Sequence, residues 1–139
     1  MKERNWKKVV RRNLSVGILL GMFLNNLTFA NELIKTRNGS TRVITAPNGT
    51  PMIELANPGN SGVSVNDFDR LSVDEKNLIL NNISSKEGIG YRSELGGIIA
   101  PNENYTGNPA RAILLRVHKD PSVINGFIEA ASTGKVDMF

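Results

Sequence analysis

The chain has 139 residues, no cysteine and a formal net charge of +4. The absence of cysteine excludes a disulfide framework. Residues 1–30 carry six basic and one acidic side chain, which leaves eleven basic and twelve acidic side chains in residues 31–139. A segment with a net charge of −1 offers no basic surface for phosphate groups, so we expect no nucleic-acid partner.

The N-terminus has the pattern of a secretory signal peptide. Basic residues precede an uninterrupted run of 11 apolar or small residues from Leu14 to Leu24, and small residues follow at the cleavage-determining positions. A membrane span needs about 20 apolar residues, so this run is too short for a permanent anchor. The alternative is an uncleaved amphipathic anchor. We predict a signal peptide over residues 1–30 that the general secretory machinery reads and that is cleaved between Ala30 and Asn31.

Further along, residues 31–40 are mixed polar and are predicted to be a flexible lead-in. Short apolar runs follow, separated by turn residues such as Asn48-Gly49. Val63, Val65, Leu71 and Val73 lie at odd positions, as a half-buried strand requires. Strands are predicted over residues 41–45, 52–55, 63–66, 77–80, 97–100, 112–117, 126–131 and 135–138. This pattern predicts an all-β fold, and composition alone leaves a sandwich, a barrel and a solenoid open.

Two segments carry helix-start signals. Ser72 and Glu75 have the spacing of a capping box, and Asp120-Pro121 has the pattern of an N-cap followed by proline at the first helical position. Each signal predicts at most a short helix, because neither segment is long enough for a helix that is stable alone.

The sequence provides little for catalysis. His118 is the only histidine, and without cysteine a transition-metal site is not expected, so we interpret it as a solvated turn residue. The acidic residues Asp67, Asp69 and Asp74-Glu75 fit neither an EF-hand nor a calcium repeat and are interpreted as a solvated face. We therefore predict no catalytic, cofactor-binding or metal-binding residues and no enzymatic activity.

A set of short motifs in a fixed order is more informative. These motifs are Asn48-Gly49-Thr50-Pro51, Pro58, Gly62-Val63-Ser64 with Asn66, Leu78-Ile79-Leu80-Asn81-Asn82, Leu95-Gly96-Gly97, Ala110 to Val117 and Asn125 to Ala131. In this order they resemble the secretion domain of two-partner secretion exoproteins, the filamentous haemagglutinin and contact-dependent inhibition family. The sequence departs from the family pattern at Val65, Leu71, Ser72 and Ile83.

The resemblance implies a right-handed parallel β-helix with an N-terminal cap, of which residues 41–139 would be a partial two-partner secretion (haemagglutination-activity) domain. No fixed-period repeat is visible in the sequence itself. The family usually continues into an Asn-Pro-Asn-Gly segment, which does not follow Phe139 here, so a truncated domain is expected.

The resemblance also implies a function. The domain would target a large bacterial adhesin, haemagglutinin or contact-dependent inhibition protein for export through the periplasm to the cell surface or medium. Its partner would be an outer-membrane transporter, and host or neighbouring cells would be contacted through regions outside this chain. Asn66, Asn81 and Asn82 are the candidate residues, with corner hydrogen bonding favoured over direct transporter recognition.

Two other functions stay open from the sequence. An exported β-helical carbohydrate-active enzyme would need several carboxylate or basic residues along one groove, and we identify no such set. A non-functional truncated remnant is the second alternative.

Overall fold

The structure is a computed structural model that describes residues 33–139, and from Ile34 onward the chain is all-β. The predicted signal peptide and its Ala30–Asn31 cleavage site lie outside the described residues. The strands are β1 Ile34–Thr36, β2 Arg42–Thr45, β3 Pro51–Glu54, β4 Val63–Leu71, β5 Leu78–Asn81, β6 Tyr91–Ser93, β7 Gly97–Ile99, β8 Ala112–Val117, β9 Ile128–Ala131 and β10 Asp137–Met138. Two 3₁₀ turns, Gly59–Ser61 and Ser85–Glu87, join strands. Among residues 33–139 no helix is long and apolar enough to cross a membrane.

The strands form two four-stranded sheets and one separate hairpin. The first sheet has the order β1-β4-β8-β10, the second has the order β2-β3-β5-β9, and β6 pairs only with β7. In each large sheet the first pair is antiparallel and the later pairs are parallel. From β3 onward, the strands of the two large sheets alternate along the chain.

The central strands of the second sheet, β3 and β5, are buried on both faces. Leu78 and Leu80 of β5 pack into a cluster that also contains Phe68 and Ile113 of the first sheet. Ile79, between them in sequence, points to the opposite face and packs with Ile99 of the hairpin. Fully burying one such side chain contributes about 1.5–3 kcal/mol, so the hairpin stabilises the second sheet by covering its outer face.

The all-β prediction is confirmed, and each predicted strand overlaps an observed one. Two strands were missed, β1 and β6. The expectation of a flexible lead-in over residues 31–40 is wrong for β1, because Ile34 is buried and the strand pairs antiparallel with β4. A strand of three residues has no periodicity of its own, and its partner decides its conformation.

The alternation of Val63, Val65, Leu71 and Val73 predicts the buried side of the chain only in part. Leu71 and Val73 are buried, whereas Val63 is 36% exposed. In the first part of β4 the fully buried residues are Ser64, Asn66 and Phe68, so the interior side there is partly polar and the apolar residues lie on the other face.

Neither helix-start signal produces a helix. Asp74 accepts hydrogen bonds from the Lys76 and Asn77 backbone N–H groups and closes a turn, and Asn77 has a left-handed φ of 68°. In the segment after Asp120, the Val123 carbonyl accepts a hydrogen bond from Val73 N–H, and Ile124 forms a parallel bridge with Val73. Pairing with a neighbouring segment satisfies these backbone groups and takes precedence over the local helix signal.

Candidate functional site

The three predicted asparagines are fully buried between or beside the sheets. Asn66 Oδ1 accepts hydrogen bonds of 2.9 Å from both Thr41 Oγ1 and Ala56 N–H. Its Nδ2 donates to Ser64 Oγ at 3.0 Å. Asn66 therefore joins the start of β2 to the segment that connects β3 with β4.

Asn82 uses both ends of its amide. Its Oδ1 accepts hydrogen bonds from Tyr105 Oη at 2.7 Å and Ala110 N–H at 2.9 Å. Its Nδ2 donates to the Ala110 carbonyl at 2.9 Å and to Ser132 Oγ at 3.2 Å. Burial raises the pKa of Tyr105. Its hydroxyl therefore stays protonated and donates a hydrogen bond to Asn82 Oδ1.

Asn81 lies at the end of β5 and holds the neighbouring loop. Its Nδ2 donates to the Ala100 carbonyl at 3.0 Å, and its Oδ1 accepts from Ile83 N–H at 3.2 Å. Asn102 donates to the Leu55 carbonyl at 3.0 Å and to the Asn81 carbonyl at 2.8 Å. The loop after β7 is therefore attached to the sheet by amide side chains from both sides.

Sequence reasoning missed several members of this network. Thr41, Ser64, Asn102, Asn104 and Tyr105 all contribute hydrogen bonds to it. The only local signal is the pair of asparagines Asn102 and Asn104 after Pro101, a pattern that is also typical of turns. In the described residues no buried side-chain nitrogen or oxygen lacks a hydrogen-bond partner.

Glu54 is the buried carboxylate of the network. Its Oε2 accepts a hydrogen bond from Glu103 N–H at 3.2 Å, and Asn81 Nδ2 lies 3.5 Å from its Oε1. Burial raises the pKa of Glu54 from 4.5 to about 7, although these hydrogen bonds and the charge of Arg42 oppose the shift.

A separate ionic group crosses from β4 to β8. Arg116 binds Asp67 through two hydrogen bonds of 2.7 and 2.8 Å, and His118 Nε2 lies 2.6 Å from Asp67 Oδ1. Hydrogen bonds from Arg116 and then from His118 lower the pKa of Asp67 to about 2. The interpretation of Asp67 as part of a solvated face is wrong, because its side chain is only 12% exposed, and His118 is its partner.

Within residues 33–139, no group of three or more His, Asp or Glu side chains is placed to hold a metal ion. The buried polar groups instead contact backbone groups and side chains of the same chain. The arrangement therefore consists of an amide network that fixes loops and a charged clamp that joins two parallel strands.

The end of the molecule formed by β9 and β10 exposes several apolar side chains. The edge strands there are β9 and β10, and exposed apolar side chains lie beside them: Val123, Ile124, Phe127, Met138 and Phe139. Edge strands with apolar neighbours can pair with a further strand.

The fold is that of a known class of secretion domain. The structure is similar to the crystal structure of a filamentous haemagglutinin secretion domain, with a TM-score of 0.63 and 31% sequence identity. The similarity covers 76% of this chain and 33% of that one. No family model matches the chain.

Three proteins with similar sequences are CdiA proteins. The chain is 38% identical over 120 residues to tRNA nuclease CdiA-2 of Burkholderia pseudomallei and 35% identical over 97 residues to tRNA nuclease CdiA of Yersinia mollaretii. It is 34% identical over 98 residues to 16S rRNA endonuclease CdiA of Enterobacter cloacae. These matches cover 85%, 69% and 69% of this chain, which spans 3–4% of the length of these relatives.

The resemblance found in the sequence motifs is confirmed. The homologues are CdiA contact-dependent inhibition proteins, and the structural neighbour is a filamentous haemagglutinin secretion domain. These similarities support a role related to two-partner secretion.

The prediction of a protein without enzymatic activity is contradicted. The relatives are named as a tRNA nuclease and a 16S rRNA endonuclease. The prediction considered only the side chains of a segment that spans 3–4% of these proteins. A search for catalytic residues in such a segment gives no information about the activity of the whole protein.

Proposed function

We propose that residues 41–139 act as a secretion-targeting domain that an outer-membrane transporter recognises, after a signal peptide over residues 1–30 has directed the chain to the general secretory machinery. The observation that carries this proposal is the similarity in fold to the filamentous haemagglutinin secretion domain, at 31% identity over 76% of the chain. The adhesive or toxic activity of the exported protein would belong to other regions.

The number of residues along the chain between paired positions of parallel strands supports a β-helix as the proposed architecture. We call this number the spacing. The spacing is short between β3 and β5, where Met52 pairs with Ile79, and it is similarly short between β8 and β10. It is much longer between β4 and β8, where Val63 pairs with Ala112, and between β5 and β9. Each short spacing corresponds to one coil of the β-helix. Each long spacing corresponds to one coil plus a single insertion of similar length, which is the segment that contains β6 and β7.

The burial of the asparagines supports a particular order of events. In the folded domain Asn66, Asn81 and Asn82 contact only the protein itself, so a transporter would reach them only before folding. An extended chain presents its backbone N–H and C=O groups for strand addition. Folding outside the cell would then satisfy these groups internally and favour outward movement.

The experiment compares export with and without a transporter. The 139-residue chain is expressed in a Gram-negative host together with a two-partner secretion transporter, or without one, and is measured in periplasm and medium. We expect release into the medium only with the transporter, and an exported species whose intact mass begins at Asn31. Release without the transporter, or retention of Met1 on membrane-bound protein, would contradict the proposal.

Variants test in the same assay whether the buried asparagines are needed for export. Replacing both Asn81 and Asn82 by alanine should reduce the exported fraction and leave cleavage of the leader intact. The matched control is Asn108→Ala, because Asn108 is exposed. Export of the double variant at the level of the parent would contradict a role for these asparagines.

The names of the relatives support a second proposal, which is nuclease activity in the exported protein. Purified chain is incubated with tRNA and with ribosomes, and the RNA is followed by denaturing gel electrophoresis. Specific cleavage would place the activity in this chain, whereas intact RNA would contradict nuclease activity in residues 1–139 and assign it to other regions of the exported protein.

A further inference from the structure

The β6–β7 hairpin is attached to the molecule mainly through side chains. It forms its own two-stranded sheet and shares no strand pairing with either large sheet. Ile99 on its inner side is buried against the outer face of the second sheet, whereas Ile98 on its outer side is 64% exposed. Contacts at its turn add to this packing and to the Asn81 hydrogen bond at Ala100.

The turn of the hairpin lies very close to the sheet. A Cβ atom on Gly96 would lie 2.5 Å from Ile79 Cδ1 and 3.0 Å from Ala46 Cβ. A side chain at this position would require Ile79 to shift. The turn therefore brings its backbone N–H groups within reach of β9.

One carboxylate of β9 binds this turn through three hydrogen bonds. Glu129 Oε2 accepts from Ser93 Oγ at 2.6 Å and from Leu95 N–H at 3.0 Å. Its Oε1 accepts from Glu94 N–H at 3.0 Å. The Ser93 hydroxyl in turn accepts a hydrogen bond of 2.9 Å from Gly96 N–H. Hydrogen bonds to a carboxylate are stronger than those to a neutral acceptor.

The opposite side of the turn is held by an earlier segment. The Leu95 carbonyl accepts hydrogen bonds from Asn48 Nδ2 at 2.8 Å and from Thr50 Oγ1 at 3.1 Å. Asn48 and Thr50 belong to the turn between β2 and β3. Three sequence motifs that are far apart in the chain therefore meet at Leu95: Asn48 to Pro51, Leu95 to Gly97, and Asn125 to Ala131.

We propose that Glu129 is a latch that closes the β6–β7 hairpin over the outer face of the second sheet. When the latch is removed, the hairpin opens locally while both large sheets stay folded. Asn48 and Thr50 precede the hairpin in the chain, whereas Glu129 lies 34–36 residues after its three partners in the turn. This inference does not depend on recognition by a transporter.

The test is hydrogen–deuterium exchange of the full chain. Glu129→Gln keeps the shape of the side chain but exchanges one acceptor oxygen for a donor NH₂. The Glu94 and Leu95 amides should exchange about ten-fold faster or more, since hydrogen bonds to charged groups are the stronger class. The β5 amides of Leu78–Asn81 should keep their protection. The matched control is Glu75→Gln, at an exposed carboxylate, which should leave both regions unchanged.

A second variant tests the latch from the side of the hairpin. Ser93→Ala removes one of the three donors and should give a smaller increase in exchange at Glu94 and Leu95. Unchanged exchange in Glu129→Gln would overturn the proposal, because the carboxylate would then not hold the turn. Equal loss of protection in the hairpin and in β5 would overturn it as well, because opening would then be global.

Discussion

Buried asparagine provides a donor and an acceptor on one short side chain, which is what a corner of the chain requires. Asn82 uses both, with two hydrogen bonds accepted and two donated. Aspartate would keep the acceptors and lose the donors, and alanine would lose all four hydrogen bonds. The residue type was predictable from the sequence, whereas its partners were not, because Ala110 and Ser132 are brought close only by the fold.

Replacing Asn82 by alanine should lower the free energy of unfolding by about 1–3 kcal/mol, because the buried Ala110 N–H and C=O groups would lose their partner. Urea unfolding of the full chain, followed by circular dichroism, measures this change. The exposed Asn108→Ala variant should stay within about 0.5 kcal/mol of the parent. Equal midpoints for Asn82→Ala and the parent would show that the network is not required for stability.

Glu54 makes stability depend on pH near neutrality. Its pKa is raised from 4.5 to about 7 in the folded protein, so between these values the folded state binds a proton that the unfolded state releases. The contribution of Glu54 to the free energy of unfolding therefore decreases as pH rises from about 4.5 to about 7 and is constant above that range.

Replacing Glu54 by glutamine should remove this decrease, because the amide stays neutral at every pH. Unfolding midpoints measured at intervals from pH 4.5 to 8 give the slopes of parent and variant. The Asp67 carboxylate acts in a different window, since its pKa is lowered from 3.8 to about 2 and its stabilisation is lost as pH falls through those values. Identical slopes for parent and variant above pH 4.5 would contradict a role for Glu54.

Among the elements, strand positions were predictable where apolar runs are long enough. The β8 strand, Ala112–Val117, was predicted with its observed bounds. The three-residue strands β1 and β6 were not predicted, because they depend on β4 and β7 as partners. The helix-start signals failed for the same reason, since Val73 and Ile124 pair with each other. Local patterns describe a segment, whereas pairing depends on residues far away in the chain.

The segment just before β9 passes very close to the backbone of Asp74 and has a glycine, Gly126, at the point of contact. A Cβ on Gly126 would lie 2.0 Å from the Asp74 carbonyl oxygen, which is backbone and cannot move aside cheaply. The next residue, Phe127, donates its N–H to Asn77 Oδ1 at 2.8 Å and accepts from Leu78 N–H at 2.9 Å. These bonds fix the position of the segment over the turn.

Gly126→Ala should therefore destabilise the protein by about 1–3 kcal/mol or more, as overpacking does. Gly134→Ala is the matched control, because nothing lies within 4 Å of the added Cβ and the position has no left-handed φ. Thermal unfolding of both variants measures the difference. A Gly126→Ala protein as stable as the Gly134→Ala protein would show that the close approach relaxes freely.

At the scale of the whole molecule, sequence patterns predicted the all-β class, and the resemblance predicted the similarity to a filamentous haemagglutinin secretion domain. The spacing between paired strands is not constant, because it is short for β3–β5 and β8–β10 and much longer for β4–β8 and β5–β9. The segment that contains the β6–β7 hairpin lies within both long spacings, so no constant period is visible in the sequence. The interior of β4 hides the pattern further, because its buried residues include Ser64 and Asn66. The motifs carried information that periodicity could not.

The same architecture leaves β9 and β10 as edge strands with apolar neighbours. Phe127 is 76% exposed and Phe139 is 72% exposed. Unpaired backbone groups beside apolar side chains favour pairing with another chain. We therefore predict that the folded chain self-associates through this end as its concentration rises.

Light scattering and sedimentation velocity over a range of concentrations measure this association. Lysine at Val123 and Phe127 should shift association to higher concentration, because a charge near an edge strand opposes pairing between chains. The matched control is Ile89→Lys, since Ile89 is 99% exposed and lies beside β6. If association depended on any exposed apolar residue, the control would weaken it equally, whereas pairing at the β9–β10 end requires that only the Val123 and Phe127 substitutions do so. A chain that stays monomeric at high concentration would contradict the prediction.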